Sequence, residues 1–464
     1  MSYLIVFKIE FNMQIFSSFS GFLVFFNNYV TDYLSVVLLL GSGVYFTFKT
    51  RFVQVRCFCD GIKMLCNGLV SGRKKEKVTS FAALATAVGA QVGTGNIVGA
   101  AAAILIGGPG AVFWMWVSAF FGMATVYAEA VAAQKTRISI GKNEYIGGPV
   151  FYIKKAFGGK TGESLAEIFA FFAVLTLGFS GAMVQSNAVC GALCESFSVP
   201  PVITGILLAA LSLSVFSGGL VRITKISEKL VVGMTLIFLL ISCYVLIINL
   251  RLIPSAFNLI VKSAFIPNSA IGGGVGTALK ITIGQGVKKG IFSNEAGMGT
   301  TPHVHASADA KTPHTQGVFA MMGVFIDTFV ILTLTALIMI VVLYTPEGCE
   351  RLGVALDMNN MMLLSLTENF GSGASKLILS FSLLFFGFSS IIAWNYFGKV
   401  NAEYLWGEKS LKFYYLFSAI FVFLGSVFDS GFVWQITDAM NLFLIIPNVI
   451  ALFKLQNKPD INKK

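Results

Sequence analysis

Charged residues are scarce in this sequence. They make up 12% of its 464 residues, against about 25% in soluble domains. That share excludes a chain whose surface mostly faces water. Cysteine supplies no framework. Of the seven present, Cys57, Cys59 and Cys66 crowd one basic stretch, Cys190, Cys194 and Cys243 lie in or beside apolar runs, and Cys349 has no obvious partner. No zinc-type spacing occurs. Residues 1–32 are apolar and Phe-rich, but Lys8 and Glu10 interrupt them, and they lack the basic start and small-residue cleavage site of a clean signal peptide. They read as an interfacial segment. A membrane enzyme would need a nucleophile and base, or a metal set, at one depth, and neither is visible. His303-x-His305 has no carboxylate–histidine spacing to complete a metal pair and is expected in a cytoplasmic loop. Gly93-x-Gly95 lacks the third glycine and the strand–helix context of a nucleotide loop.

What is present is hydrophobicity, at 56% of residues, arranged in serial apolar runs of about 20 residues, the length that spans a bilayer as a helix. The fold class expected is an all-α integral membrane protein. The net charge of +11 does not imply nucleic acid, because the basic residues sit in short connections between apolar runs. The first of these holds Arg51, Arg56, Lys63, Arg73, Lys74, Lys75 and Lys77. Later ones hold Lys135, Arg137 and Lys142, then Arg222, Lys225 and Lys229, then Lys399, Lys409 and Lys412. The intervening connections are less basic than their neighbours: Gly107-Gly108-Pro109-Gly110 is uncharged, one holds Arg251 and Lys262, and the stretch with Glu347, Glu350, Asp357 and Glu368 is acidic. Basic connections stay cytoplasmic. The alternation gives about eleven spans with the N-terminus outside and the C-terminus inside. Residues 33–78 form a first span and its basic cytoplasmic loop, 79–250 and 251–453 two five-helix units, and 454–464 a cytoplasmic tail.

Two stretches break the pattern. Gln91-Val92-Gly93-Thr94-Gly95-Asn96 puts three polar side chains and two glycines in the middle of the apolar run from Phe81 to Leu105. Gly290-Ile291-Phe292-Ser293-Asn294-Glu295-Ala296-Gly297-Met298-Gly299 does the same five spans later. The hydrocarbon offers no water to free backbone groups, so a break there needs a compensating partner. A glycine-rich packing face would explain the glycines alone; the polar neighbours favour a site. An odd separation puts the breaks in helices of opposite direction, as a five-plus-five inverted repeat predicts. Half-helix N-termini then favour an anionic group and C-termini a cation. A zwitterion with Na⁺ uses both ends.

Val92-Gly93-Thr94-Gly95-Asn96, Gly107-Gly108-Pro109-Gly110 followed by Phe113-Trp114-Met115-Trp116, Gly147-Gly148-Pro149, Phe292-Ser293-Asn294-Glu295-Ala296-Gly297 and Gly323-Val324-Phe325-Ile326-Asp327-Thr328 resemble the alanine/glycine:cation symporter family. Tyr404-Leu405-Trp406-Gly407 and Ile446-Pro447-Asn448 fit as well. The resemblance runs from about residue 35 to 455 and rests most on the Ser293–Gly297 stretch. It implies the leucine-transporter fold, secondary transport of alanine, glycine or similar small amino acids, Na⁺ as the coupling ion with no other cofactor or metal, and the cytoplasmic membrane of a bacterium. The first break also resembles the sodium-site stretch of the wider neurotransmitter:sodium symporter group. Four positions depart from the family's pattern: Val126 where many members carry a basic residue, Lys399 where an acidic one is common, and Ser389 and Ser390 where threonines are frequent.

The resemblance implies roles for particular residues. Gln91 and Gln185 are amides in apolar spans, and interhelical polar contact is their ordinary explanation; by resemblance both line the amino-acid pocket with Thr94, Gly95, Ser293 and Asn294. Phe292 and Trp394 bound that pocket and keep it small. Ser389 and Ser390 offer hydroxyls to Na⁺ beside the backbone of Gly89 and Val92, with helix back-bonding as the alternative. Asn96 coordinates Na⁺ or supports the broken backbone. Glu295, an expensive intramembrane carboxylate, caps or locks the second break or takes part in gating. Asp327 is an ion ligand, a proton site or a fold anchor. Lys288 and Lys289 pair with Glu295 or Asp327, or snorkel toward water. The function expected is Na⁺ symport of alanine and glycine by alternating access. The competing readings are H⁺ coupling through Asp327 or Glu295, and a passive channel or facilitator.

Overall fold

The computed structural model describes residues 19–70, 78–141, 144–266, 275–344 and 356–456. Helix α1 runs Phe19–Lys49, so helix covers the span expected from Tyr33 and extends back at least to Phe19. The reason is that Phe22, Phe25 and Tyr29 present exposed rings in a continuous helix, which suits the lipid interface. An amphipathic α2 (Phe58–Val70) follows. The first broken span is α3 (Ser80–Gln91) and α4 (Val98–Gly107), bent by 55°. After α5 (Ala111–Thr136) come a small antiparallel hairpin of β1 (Ile138–Gly141) and β2 (Glu144–Ile146), which an all-helical reading does not anticipate, and a short α6 (Pro149–Phe157). The chain continues through α7 (Gly159–Phe197), α8 (Pro201–Phe216), α9 (Gly219–Ile248) and α10 (Ile253–Phe265). The second break lies between α11 (Val275–Asn294) and α12 (Pro302–Ser307). The last four helices are α13 (Pro313–Leu343), α14 (Met361–Trp406), α15 (Leu411–Gly425) and α16 (Ser430–Gln456).

Among the described residues, seven helices are long and apolar enough to cross a membrane, or eight if the bent pair is one span. The rest of the eleven expected stretches are occupied by the shorter α8 and α15 and by α11 with α12. The connection with Arg251 and Lys262 is largely the helix α10, and Glu368 belongs to α14 just before the positive-φ kink at Gly371, not to a loop. Glu347, Cys349 and Glu350 lie outside the described residues.

The two broken spans lie side by side in opposite directions. Val78 O accepts from Asp309 N at 2.9 Å, Gln91 Nε2 donates to Asn294 O at 2.8 Å, and Thr282 Oγ1 donates to Gly107 O at 2.8 Å. The first chain ascends while the second descends. Small residues permit the approach: Ala82, Ala83, Ala87, Ala90 and Ala100 to Ala103 are buried, and such residues let membrane helices pack closely where no water drives them together. α5 covers the pair on one side and α14 on the other.

In a chain stripped of its seven native cysteines, Val78→Cys with Asp309→Cys is expected to cross-link under mild oxidation, while Val78→Cys with Thr282→Cys is not. Mobility-shift electrophoresis reads both. Cross-linking of the second pair instead would reverse the relative direction of the two spans.

Candidate functional site: two interrupted helices facing each other

At the first break α3 ends at Gln91. Gly93 is extended, Thr94–Asn96 makes one 3₁₀ turn, and α4 starts at Val98. The reason for glycine at 93 is contact: a side-chain carbon there would lie 2.5 Å from Ser390 Oγ and 2.9 Å from Gln185 Oε1. The freed backbone is then satisfied side by side with these groups. Gly93 N donates to Asn96 Oδ1 at 3.1 Å and Thr94 N to Gln185 Oε1 at 3.0 Å. Gln91 Oε1 and Thr94 Oγ1 are buried and have no hydrogen-bond partner among the described residues.

The second break abuts the first. A carbon added to Gly95 would sit 3.2 Å from Phe292 Cδ1 and 3.7 Å from Ser293 Cα. α11 ends at Asn294, and Glu295 takes a left-handed φ of 57°, a conformation that costs about 1–3 kcal/mol for a non-glycine residue. Its carboxylate accepts from Trp394 Nε1 and Thr300 Oγ1, so it braces the unwound segment against α14. Phe292 meets Trp394 edge-on at 6.0 Å and Trp434 at 4.6 Å between ring centroids. The three rings form one aromatic cluster beside the breaks.

The polar residues expected around a cation fall into two groups. In one, Ser389 Oγ and Ser390 Oγ donate to Gly89 O at 3.2 and 2.9 Å, and Ser390 also reaches Ala90 O at 3.2 Å; Val92 caps the same helix end. This group is oxygen only, the chemistry a hard cation prefers. Asn96 belongs to the other group. Its amide donates to Asp327 Oδ1 at 2.8 Å, Ser293 Oγ to both Asp327 oxygens at 3.0 and 2.9 Å, and Thr328 Oγ1 to Oδ2 at 2.8 Å. Asn294 Nδ2 reaches Thr328 Oγ1 at 3.2 Å. Asp327 lies in a π turn, Phe325–Leu332, a widening frequent at functional sites, and it ties both breaks to α13.

Two expectations are corrected. Lys288 and Lys289 pair with neither Glu295 nor Asp327. Lys288 Nζ lies 2.7 Å from Asp32 on α1 and 2.9 Å from Asp438 on α16, and Lys289 Nζ lies 3.7 Å from Asp438 and 3.9 Å from the centre of the Trp434 ring. The lysines project from α11 before the break, toward α1 and α16 and away from α13. His303 and His305 are not loop residues. Both are buried in α12, where His303 stacks on Phe397 and bonds Thr300 O and Asn401, and His305 meets Gln316.

Glu129 belongs to the same centre, although the sequence alone does not single it out. It is fully buried on α5 and accepts from Gly297 N at 3.4 Å, Gly299 N at 3.0 Å and Asn448 Nδ2 at 2.6 Å. Asn448 in turn holds Gly297 O at 2.8 Å and takes the Tyr152 hydroxyl from α6. The signal was a single carboxylate in an apolar span, the same signal that drew attention to Asp327. Asn448 was noticed in Ile446-Pro447-Asn448 without a role.

Antiparallel broken spans that meet around polar groups are the pattern of the leucine-transporter fold. Solved structures agree at the level of fold: a manganese transporter variant from Eremococcus coleocola (TM-score 0.56, 14% identity, 83% of this chain and 81% of that one) and a Na⁺-coupled sialic acid symporter (TM-score 0.53, 13% identity, 86% and 81%). The pattern of the sodium:alanine symporter family matches residues 16–460, and the chain belongs to that family. Similar proteins include the sodium/alanine symporter AgcS of Methanococcus maripaludis, 36% identical over 92% of this chain and 93% of that protein, and the probable sodium/glutamine symporter GlnT of Bacillus subtilis, 37% identical over 92% and 87%.

Glu129→Leu leaves two backbone donors and one amide without an acceptor, each unsatisfied group costing about 1–3 kcal/mol. It is expected to lower the thermal midpoint of the detergent-solubilised protein well below that of Glu129→Gln, which keeps one acceptor oxygen. Equal midpoints would remove Glu129 as the brace of the second break.

Proposed function

We propose that this Na⁺-coupled amino-acid symporter imports small neutral amino acids, alanine and glycine foremost, by alternating access in the cytoplasmic membrane of a bacterium, N-terminus out and C-terminus in. The observation that carries the reading is the contact between the breaks: the unwound segments of α3–α4 and α11–α12 meet, with unpartnered Gln91 Oε1 and Thr94 Oγ1 beside them. Gln91, Thr94, Gly95, Gln185, Ser293 and Asn294 orient the zwitterion. Gln oxygens accept from its ammonium, and N–H groups donate to its carboxylate. Phe292 and Trp394, backed by Trp434, limit the side chain to a methyl group or hydrogen. Na⁺ binds where α3 ends, between the carbonyls of Gly89 and Val92 and the hydroxyls of Ser389 and Ser390. Asn96 supports the broken backbone and transmits cation occupancy to Asp327. Glu295 holds the unwound segment during the exchange of faces.

Each Na⁺ moving down a membrane potential of about 100 mV releases about 2.3 kcal/mol, enough for roughly fiftyfold accumulation of solute. In proteoliposomes, labelled alanine is expected to accumulate under an inward Na⁺ gradient, to exchange in counterflow and to saturate. Uptake indifferent to both Na⁺ and H⁺ gradients would overturn the coupling, and non-saturable flux would indicate a facilitator. Phe292→Ala is expected to raise the KM for alanine and improve inhibition by glutamine, the solute named for GlnT. An unchanged competition profile would remove Phe292 from the pocket wall.

One observation favours a second reading with H⁺ in place of Na⁺. Asp327 is buried among neutral donors, and no basic side chain pairs with it among the described residues. Asp327→Asn that retains full Na⁺-driven uptake eliminates it as a proton carrier. Loss of pH-gradient-driven uptake in that variant, with Na⁺-driven uptake absent from the wild type, would establish the second reading.

A further inference from the structure

We propose that an anionic phospholipid occupies a groove between α1 and α11, with its phosphate at Lys280 and an acyl chain running past Gly284. The groove encloses about 510 Å³ and is lined by Tyr33, Val37, Ile106, Lys280, Ile281 and Gly284, among others. The apolar side chains are exposed: Val37 at 67%, Ile106 at 55% and Ile281 at 42%. In a bilayer, these residues face hydrocarbon.

Depth separates the two ends of the groove. The first break divides its span into helices of 12 and 10 residues, which places it near the bilayer midplane. α11 ends at the same level, because Gln91 meets Asn294. Lys280 precedes Asn294 by fourteen residues, about 21 Å of helix. That exceeds the roughly 15 Å half-thickness of the hydrocarbon, so the Lys280 ammonium reaches headgroup level, in the leaflet opposite the Arg51 end of α1. Tyr33, 4.5 Å from that ammonium to the ring centre, is the kind of residue found at that level. Ile281 and Gly284 lead from there toward the interior.

Charge and shape complete the argument. Lys280 has no carboxylate within ion-pair distance among the described residues, whereas Asp32, the acidic residue of the groove, is met by Lys288 at 2.7 Å. Lys280, Gly284 and Lys288 follow one another at four-residue spacing and share a helix face. Gly284 is what keeps the groove open between the lysines, and a carbon added there would touch nothing within 4 Å. The groove thus offers one cation above an apolar channel, which fits a phosphodiester headgroup and its chain.

The test is native mass spectrometry of the detergent-purified protein exchanged with phosphatidylglycerol or phosphatidylcholine. The wild type is expected to retain phosphatidylglycerol in preference. Lys280→Gln should weaken that retention about fivefold, the value of one basic residue at about 1 kcal/mol, and leave phosphatidylcholine unchanged. Gly284→Leu, which fills the channel without meeting a neighbour, should weaken retention of both. Equal retention of the two lipids by the wild type, or retention that neither substitution alters, would overturn the proposal. So would a lipid-free dimer cross-linked through Val37→Cys, which would assign the face to a second copy of the chain.

Discussion

A peptide group in the middle of a bilayer has no water to turn to, and this constraint governs the centre of the molecule. Each helix interruption frees N–H and C=O groups that cost several kcal/mol apiece if left bare. The structure meets that demand with side chains from helices that are themselves unbroken at those positions: Gln185 and the two serines at the first break, Glu129 and Asn448 at the second. The polar atoms in excess of the demand, Gln91 Oε1 and Thr94 Oγ1, are what a solute would meet.

The carboxylates divide this work. Glu129 holds backbone donors, Glu295 holds an indole and a hydroxyl, and Asp327 gathers Asn96, Ser293 and Thr328. None draws a basic partner among the described residues. The two buried lysines are instead neutralised by Asp32 and Asp438. This separation keeps a strong cation away from the end of α3, where an ammonium would compete for the oxygens proposed to hold Na⁺. It also ties α1 to α11 and α16. Buried ion pairs add little net stability, but breaking one is costly, so the cluster fixes α1 in place.

Much of this was legible in the sequence. Glycines flanked by amides inside an apolar run announce an interruption, and the count of spans between two such stretches announces their opposite direction. Both follow from backbone chemistry, which depends on local sequence. The pairing of side chains does not. Nothing in the sequence of α11 tells whether Lys288 turns toward Asp327 or toward Asp438, because that depends on how the helix is rotated against its neighbours. Glu129 escaped notice because its partners are main-chain N–H groups on a distant segment, which leave no mark in side-chain patterns. The hairpin after α5 lies between apolar runs, where hydropathy carries no strand signal, and the first turns of α1 are Phe-rich chain whose exposed rings read equally well as an interfacial segment.

The central claim is that one constellation holds both solute and cation, so their binding must be linked. Linkage is reciprocal: the factor by which Na⁺ tightens alanine equals the factor by which alanine tightens Na⁺. The decisive measurement is equilibrium binding of labelled alanine to the purified protein across a Na⁺ titration, in the wild type and in Ser389→Ala with Ser390→Ala. The account predicts alanine affinity that rises with Na⁺ in the wild type and loses that dependence in the double variant, with alanine still bound at high concentration. Alanine affinity that ignores Na⁺ in the wild type, or follows it equally in both proteins, would contradict it.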